Sequence, residues 1–266
     1  MTETGKASIA VVLVTFGLLG WACNPAAAAV HIEGQVQAGG GPIANYIVTL
    51  WGANAGDPKQ LAQTQTDSDG RFELGTDETP GADVSLYLVA KGGVATVNKG
   101  SGDNPAIALL TVLGNAPPAK VVINEMTTVA SVWTNNQFLD GTAIKGHALG
   151  LRIAAGNVQN FVDLQTGGWG VAIADPLNGG QTPTMANFAT LADLLAGCTT
   201  RVSTDACNNL FAAATAPDGK VATDTLAVAQ SIARNSWYKP EKLFALLDKF
   251  YPVPNGKNLR PVPYMP

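Results

Sequence analysis

Charged residues, histidines and cysteines are all scarce in this sequence. Lysine and arginine together number 16, aspartate and glutamate 20, and charged residues make up 14% of the 266 residues, against a usual share of about a quarter. The net charge of −4 excludes the basic surface that binds a nucleic-acid backbone. Two histidines and three cysteines are too few for a Cys/His zinc cluster. We therefore expect no nucleic-acid partner, no metal and no cofactor.

Catalytic motifs are also missing. The chain has no Gly-x-Ser-x-Gly elbow, no phosphate-binding loop and no His-Glu-x-x-His motif. Asp67-x-Asp69-Gly70 has the opening of a calcium loop but not its closing glutamate, so a hairpin turn is favoured. Glu125 is explained as a carboxylate at a helix start. These observations favour a non-catalytic protein, although folding could still bring two scattered carboxylates together.

The first 29 residues predict a signal peptide. Lys6 precedes an apolar run from Ala7 to Ala22, and the small residues Ala26 to Ala29 form a cleavage site. A membrane anchor and a lipoprotein signal acylated at Cys23 are open alternatives, although a membrane span needs about 20 apolar residues. We expect export to the periplasm or beyond. Membrane contact would then occur only through an uncleaved or lipidated signal segment.

Cleavage after Ala29 would remove Cys23 and leave Cys198 and Cys207 as the last pair of cysteines. An even number of cysteines in an exported chain predicts a disulfide. The alternative is two reduced, buried cysteines that pack as small apolar residues.

Short alternating segments between Val30 and Asn124 predict an antiparallel β-sandwich. The run from Tyr46 to Trp51 is rich in β-branched and aromatic residues, and Asp69-Gly70 forms a tight turn between two alternating segments. About eight short strands follow one another with no amphipathic helix between them. We assign residues 30–124 to this sandwich.

The periodicity changes after Ile123 to that of helices. Asn124 is a predicted N-cap, and apolar residues recur at steps of three and four as far as Trp133. Similar patterns predict five further helices, with a long surface loop from Gln165 to Thr184. The sequence therefore predicts a separate all-α domain over residues 125–251 and a Pro-rich tail over residues 252–266.

Three stretches of the first domain carry a resemblance to a known family. They are Ile32-x-Gly34-x-Val36, Gly41-Pro42-Ile43-Ala44-Asn45-x-x-Val48-x-Leu50 and Thr66-Asp67-Ser68-Asp69-Gly70-x-Phe72. On these residues the segment resembles the carboxypeptidase-regulatory-like, transthyretin-like β-sandwiches of exported bacterial proteins. The resemblance implies that Val36, Val48, Leu50 and Phe72 face the core. It implies no reaction, because such sandwiches mostly serve as spacers, adhesive modules or accessory domains.

The second domain is similar to a helical segment found between such a sandwich and an NHL-type or lyase-like β-propeller in bacterial proteins. The matching residues include Val122-x-Asn124-Glu125-Met126-Thr127-Thr128-Val129-Ala130-Ser131-Val132-Trp133 and Leu191-Ala192-x-x-Leu195-Ala196-x-Cys198. The resemblance implies an accessory role beside a propeller. The sequence stops about where a propeller would begin, so no propeller activity is transferred to this chain.

Aromatic side chains are the remaining candidates for a binding site. Alternation places Trp51 on the face of its strand that points away from the sandwich core, and Trp169, Trp237 and Tyr238 fall in loop-like stretches. Exposed aromatic rings can stack on sugars or anchor a protein, and packing between the domains is the alternative for each. We expect an exported, non-catalytic interaction or scaffold protein whose partner is a glycan or a cell-envelope protein. A carbohydrate-binding surface at Trp51 and the accessory part of a β-propeller enzyme are the open alternatives.

Overall fold

Strands dominate the first half of the chain and helices the second, in a computed structural model that describes residues 1–2, 30–97, 102–179 and 183–252. The predicted signal peptide, apart from its first two residues, and the tail after Pro252 lie outside these ranges. The first nine strands are β1 (Val30–Ala38), β2 (Gly41–Ala44), β3 (Ile47–Ala53), β4 (Lys59–Gln65), β5 (Arg71–Thr76), β6 (Ser85–Lys91), β7 (Val94–Ala95), β8 (Ala108–Gly114) and β9 (Lys120–Ile123). They are followed by α1 (Glu125–Asn135), β10 (Leu139–Asp140), β11 (Ala143–Ile144), α2 (Ala148–Phe161), α3 (Val171–Ala174), α4 (Pro176–Gly179), α5 (Thr184–Thr199), α6 (Ala206–Ala213), α7 (Thr225–Arg234) and α8 (Pro240–Phe250).

These nine strands form two sheets. One sheet has the order β4-β3-β6-β8 and is antiparallel throughout. In the other sheet β5, β1, β2 and β7 pair antiparallel, but β9 runs parallel to β1, with Glu33 opposite Lys120. The expectation of a purely antiparallel arrangement is therefore wrong at β9. The chain leaves β8 in one sheet and enters β9 in the other, so no hairpin forces β9 to run antiparallel to its neighbour.

The residues expected to face the sandwich core are buried. Val36, Val48 and Leu50 have no exposed surface, and Phe72 is 6% exposed. The turn before Phe72 also agrees with the sequence, because Gly70 has a φ of +70° that a side chain would disfavour. The side-chain carboxylate of Asp67 accepts hydrogen bonds from backbone N–H groups of this turn, which explains its acidic residues without calcium.

Helix α1 covers the open edge of the antiparallel sheet. Because β8 is an edge strand, its outward N–H groups have no neighbouring strand to bond. The N–H of Leu110 donates to the hydroxyl of Thr128 at 3.1 Å, and the N–H of Val112 donates to the hydroxyl of Ser131 at 2.9 Å. Two side chains of one helix thus take the place of a further strand.

The sheets and the helices share one continuous core. All seven residues of β8 are buried, and α1 packs against β8, α2, α5 and α7. The buried apolar residues therefore form a single cluster that extends from Ile32 in the sheets to Tyr251 after the last helix. The helices thus pack on the sheets through β8, since both faces of this strand are covered.

The helix start predicted at Asn124 is confirmed. Asn124 caps α1, since its side chain accepts from the N–H of Thr127 at 2.9 Å while the Thr127 hydroxyl accepts from the N–H of Asn124. The side chain of Asp224 caps α7 by accepting from the N–H of Ala227 at 2.8 Å, and Pro240 opens α8.

Other local predictions are wrong. The segment from Gln165 to Thr184 is not a simple loop, because it contains α3 and α4, and Ile173 of α3 is buried. The apolar side chains of Leu149 and Ile153 in α2 are 57% and 58% exposed, so the apolar pattern of this helix does not coincide with its buried face. The β10–β11 hairpin was not anticipated.

The predicted disulfide is present and joins α5 to α6. The sulfur atoms of Cys198 and Cys207 are 2.09 Å apart. The side-chain amide of Asn104, which lies in the loop before β8, donates to the backbone carbonyl of Cys198 at 3.1 Å. The disulfide therefore fixes a turn that also contacts the sheets. Among the helices of the described residues, none is both long and apolar enough to cross a bilayer.

Candidate functional site

Trp51 lies where the helical half meets one face of the antiparallel sheet. Its ring stacks on that of Tyr87 with centroids 6.4 Å apart. The Tyr87 hydroxyl accepts from the N–H of Ile144 in β11 at 3.4 Å, and burial raises the pKa of Tyr87 to about 12. On the side of β4, Trp51 is paired with Gln60. Thr49, which lies two residues before Trp51 on the same face of β3, is paired with Gln63. Polar side chains therefore surround this edge of Trp51. Tyr87 thus links Trp51 to the β10–β11 hairpin, and Trp51 itself is partly exposed.

Trp169 is a packing residue. It forms an isolated β-bridge with Val162, and its ring lies 5.8 Å from that of Phe188, which also stacks on Phe161 at 5.9 Å. This aromatic cluster joins the end of α2 to α5. The ring of Trp169 is therefore engaged in this cluster, and the residue is only partly exposed.

Trp237 and Tyr238 are the most open pair of the predicted site residues. Trp237 is 71% exposed, and its ring meets that of Tyr238 edge-on at 5.7 Å. The ammonium of Lys239 lies 4.6 Å from the Tyr238 ring centroid. Its hydrogen bond with the Tyr238 side chain raises the pKa of Lys239. Lys239 has a φ of +51°, which is unusual for a residue with a side chain and is held here by the start of α8.

Trp133 is a surface aromatic residue that sequence periodicity misplaced. The spacing put it on the packed stripe of α1, yet it is 51% exposed. The helix is buried on nearly all sides up to Val132, because it packs between the sheet and three other helices. Trp133 lies where α1 emerges from this packing, so no periodicity argument could have found it.

A shallow apolar groove runs beside Trp133 between α1, α5 and α7. It encloses about 20 Å³, so it can receive a methyl group or the end of a side chain rather than a whole small molecule. We call it the Trp133 groove, and its walls are Val129, Val132, Trp133, Leu191, Leu195, Ala229, Ile232 and Ala233.

The Trp133 groove continues towards the Trp237–Tyr238 pair. Ile232 lines the groove and also a second depression, whose walls combine Tyr238 and Leu243 with polar residues such as Ser231 and Asn235. The helical half therefore carries an apolar groove beside Trp133 and a partly polar depression beside Tyr238. Exposed apolar surface such as that of the groove marks interaction sites.

Charged side chains near this surface are mostly positive. Arg234 ends α7, and Lys239 and Lys242 flank the start of α8, where Glu241 is the acidic residue. The whole chain has a net charge of −4, so this local excess of cations differs from the average surface. It would favour an acidic partner.

Polar chemistry is concentrated elsewhere, on the outer face of the five-stranded sheet. An open trough of about 560 Å³ lies there, with Glu33, Glu73, Arg71 and Lys120 among its walls. Within the described ranges, no three side chains of histidine, cysteine, aspartate or glutamate form a group that could hold a metal ion. The trough carries both signs of charge and does not select one class of ligand.

Comparisons with known proteins do not assign the chain to a family. No family model matches it, and no curated protein does. A solved structure of a 9R-lipoxygenase from Cyanothece PCC8801 is similar over 77% of this chain and 26% of its own, at 13% identity and a TM-score of 0.22. The chain thus spans about a quarter of the length of that lipoxygenase. A TM-score of this size carries no argument about fold or activity.

Proposed function

We propose that this chain is an exported, non-catalytic interaction module that binds a protein partner through the Trp133 groove. The observation that carries the proposal is the half-exposed ring of Trp133 beside a wholly apolar groove, at the end of an otherwise buried helix. Tryptophan at the centre of a contact is the residue type that most often dominates a binding energy. The two sheets, which we propose form a transthyretin-like sandwich, support the helices that build the groove.

The partner is a protein segment with apolar side chains and acidic flanks. The apolar walls of the groove favour burial of aliphatic or aromatic side chains. The cations Arg234, Lys239 and Lys242 beside the groove favour acidic residues at the ends of that segment. Such charges at the rim speed the encounter more than they strengthen the final complex.

Export is part of this proposal. Its support is the predicted signal peptide together with the Cys198–Cys207 disulfide, since disulfides persist in oxidising compartments. A cell-envelope protein is then the partner class that the module meets in its compartment.

The test uses the exported protein and two matched alanine variants. Trp133→Ala removes the half-exposed ring of the groove, and Leu149→Ala removes a similarly exposed apolar side chain on α2. We expect a partner captured from the cell envelope to bind the Leu149→Ala protein normally and the Trp133→Ala protein about 30-fold more weakly, which corresponds to about 2 kcal/mol.

A capture experiment supports the proposal only if the bound segment is then identified. A synthetic peptide of that segment should contain acidic flanks and should bind faster at low salt, and Lys242→Glu should reduce its association rate. Equal binding by both alanine variants would contradict the proposal. Self-association through Trp133, seen as a dimer that Trp133→Ala abolishes, would replace the envelope partner with a second copy.

A glycan-binding surface at Trp51 is the second candidate. It is favoured by the hydroxyl and amide groups of Thr49, Gln60 and Gln63, which lie beside the partly exposed ring on the same face of the sheet. Affinity electrophoresis in soluble polysaccharides tests it. Retardation that Trp51→Ala removes and Trp133→Ala does not would favour the glycan, whereas unretarded migration in every polysaccharide would exclude this candidate.

A further inference from the structure

The beginning of β1 combines a histidine with two carboxylates. Glu33 and Glu73 are directly opposite each other in the antiparallel pair of β1 and β5. The Nε2 atom of His31 lies 3.6 Å from Oε1 of Glu33 and 3.7 Å from Oε1 of Glu73. Two like charges directly opposite each other destabilise a sheet. The imidazole of His31 therefore lies next to two carboxylates that face each other across the two strands.

The backbone nitrogen of His31 lies outside the hydrogen-bonded ladders. In β1 the N–H of Val36 bonds to Gly70 on the β5 side, whereas the N–H of Glu33 bonds to Ala119 on the β9 side. Because neighbouring residues of a strand point their N–H groups to opposite sides, that of His31 points to the β9 side. There β9 begins only at Lys120, opposite Glu33. His31 therefore lies beyond the end of its neighbouring strand.

Removal of the predicted signal peptide after Ala29 would make Val30 the first residue. Its free α-amine would then be one peptide bond away from His31. An amino-terminal dipeptide that ends in histidine offers three nitrogen atoms to one ion, namely the amine, the histidine amide and imidazole Nδ1. Together they close two adjoining chelate rings, and the amide proton passes to the solvent.

We propose that the processed amino terminus is a copper(II) site. The ligands are the amine of Val30 and the amide nitrogen and Nδ1 of His31. A nearly planar set of nitrogen ligands suits Cu(II), which also binds such sites more tightly than other divalent ions of its row. The carboxylates of Glu33 and Glu73 lie 3.6 and 3.7 Å from Nε2, the ring nitrogen that would not bind the metal, and carboxylates near that nitrogen are common around a metal-bound histidine.

Formation of this copper site requires one local change of backbone conformation, at the first peptide unit of the processed chain. In β1 Val30 pairs with Thr76, and the first peptide unit must turn to bring the amine beside the amide nitrogen of His31. The cost is one terminal strand pairing, and terminal residues lose such pairings easily. The site is separate from the Trp133 groove and rests only on the export part of the proposed function.

The experiment uses the full chain, expressed with its signal peptide and recovered from the exported fraction. Its intact mass is measured first, and Cu(II) is then titrated calorimetrically and followed by electron paramagnetic resonance. We expect a chain that begins at Val30 and binds one Cu(II) with a nitrogen-rich signal. His31→Gln should abolish this signal, and His147→Gln, a change of the second histidine of the chain, should preserve it.

Two further proteins test the contribution of the Val30 amine and that of the Glu33 and Glu73 carboxylates separately. The unprocessed precursor, purified before export, should lack the signal because residue 29 blocks the amine of Val30. Glu33→Gln combined with Glu73→Gln should weaken binding about 10-fold while keeping the signal. Equal binding by precursor and processed protein would overturn the site, and so would binding that survives His31→Gln.

The mass distinguishes failure of export from failure of the site. A processed chain that begins at Val30 and binds no Cu(II) overturns the metal site and leaves the exported interaction module standing. A chain that keeps residues 1–29 overturns the proposed processing and removes the site with it. A first residue other than Val30 overturns the ligand set, because the amine is then in the wrong place.

Discussion

Thr225 binds the backbone of Ala108 twice with its single hydroxyl group, although the two residues are 117 positions apart. The N–H of Ala108 donates to this hydroxyl at 2.9 Å, and the hydroxyl donates to the carbonyl of Ala108 at 2.6 Å. Thr225 thereby extends along β8 the cover that Thr128 and Ser131 provide from α1. The edge of the sheet is closed by hydroxyl groups of two helices, and this closure joins the two halves of the chain.

Removal of one of these hydroxyl groups should destabilise the protein. Thr128→Val keeps the shape of the side chain but leaves the buried N–H of Leu110 without its acceptor. We expect the free energy of unfolding to fall by about 1–3 kcal/mol. Thr128→Ser retains the hydroxyl and should lose much less. Urea denaturation measures both changes, and a Thr128→Val protein as stable as the parent would contradict the role of this hydrogen bond.

Two helical glycines should respond in opposite directions to alanine. A Cβ atom on Gly197 of α5 would clash with the ring of Phe250, so Gly197→Ala should force α5 and α8 apart at a cost of about 1–3 kcal/mol. A Cβ atom on Gly156 of α2 would meet no atom within 4 Å. Gly156→Ala should therefore stabilise the protein by up to about 1 kcal/mol. Thermal unfolding of the pair checks this, and a shift of the same sign in both would refute the packing argument.

Reduction of the disulfide should weaken the fold without abolishing it. Cys198 and Cys207 close a short loop, which contributes about 3 kcal/mol at most through the unfolded chain. The continuous core should keep the reduced protein folded. Denaturant midpoints with and without reductant measure the loss. The Cys198→Ser, Cys207→Ser double variant is the control, because reductant should not change its midpoint.

Alkaline pH should destabilise the protein through Tyr87. Burial raises the pKa of this residue from 10.0 to about 12, so the folded state holds the phenolic proton more tightly than the unfolded chain. The stabilisation is complete below pH 10 and is lost as the pH rises towards 12. Burial also raises the pKa of Tyr46 well above its usual value, so part of this loss should remain in Tyr87→Phe.

Urea midpoints measured from neutral pH to pH 12 test this prediction. The Tyr87→Phe protein should lose stability less steeply above pH 10 than the parent protein. Parallel curves for the two proteins would show that Tyr87 does not titrate with unfolding.

Local signals predicted the features that depend on neighbouring residues. Asn124 caps α1 and Gly70 forms the turn before β5, as expected. The disulfide was predicted by counting, because the predicted cleavage would leave one pair of cysteines. Each of these features is decided by the conformation of a few consecutive residues or by composition.

The candidate site was predicted only in part. Trp237 is exposed, as the loop-like sequence suggested, whereas Tyr238 is half-buried and Trp169 packs on Phe188. Trp133 was assigned to the core because its spacing matches the buried residues of α1. Spacing defines a face of a helix, but it cannot say how far along the helix other elements cover that face.

The sequence by itself determined where strands give way to helices, where the caps and turns lie and which cysteines pair, because these depend on short-range backbone preferences. The tertiary structure decided that β9 runs parallel to β1 and that Trp133 emerges at a groove. It also decided that hydroxyl groups of α1 and α7 close the edge of β8. These features arise between segments far apart in the chain, where packing of whole elements rather than local preference sets the geometry.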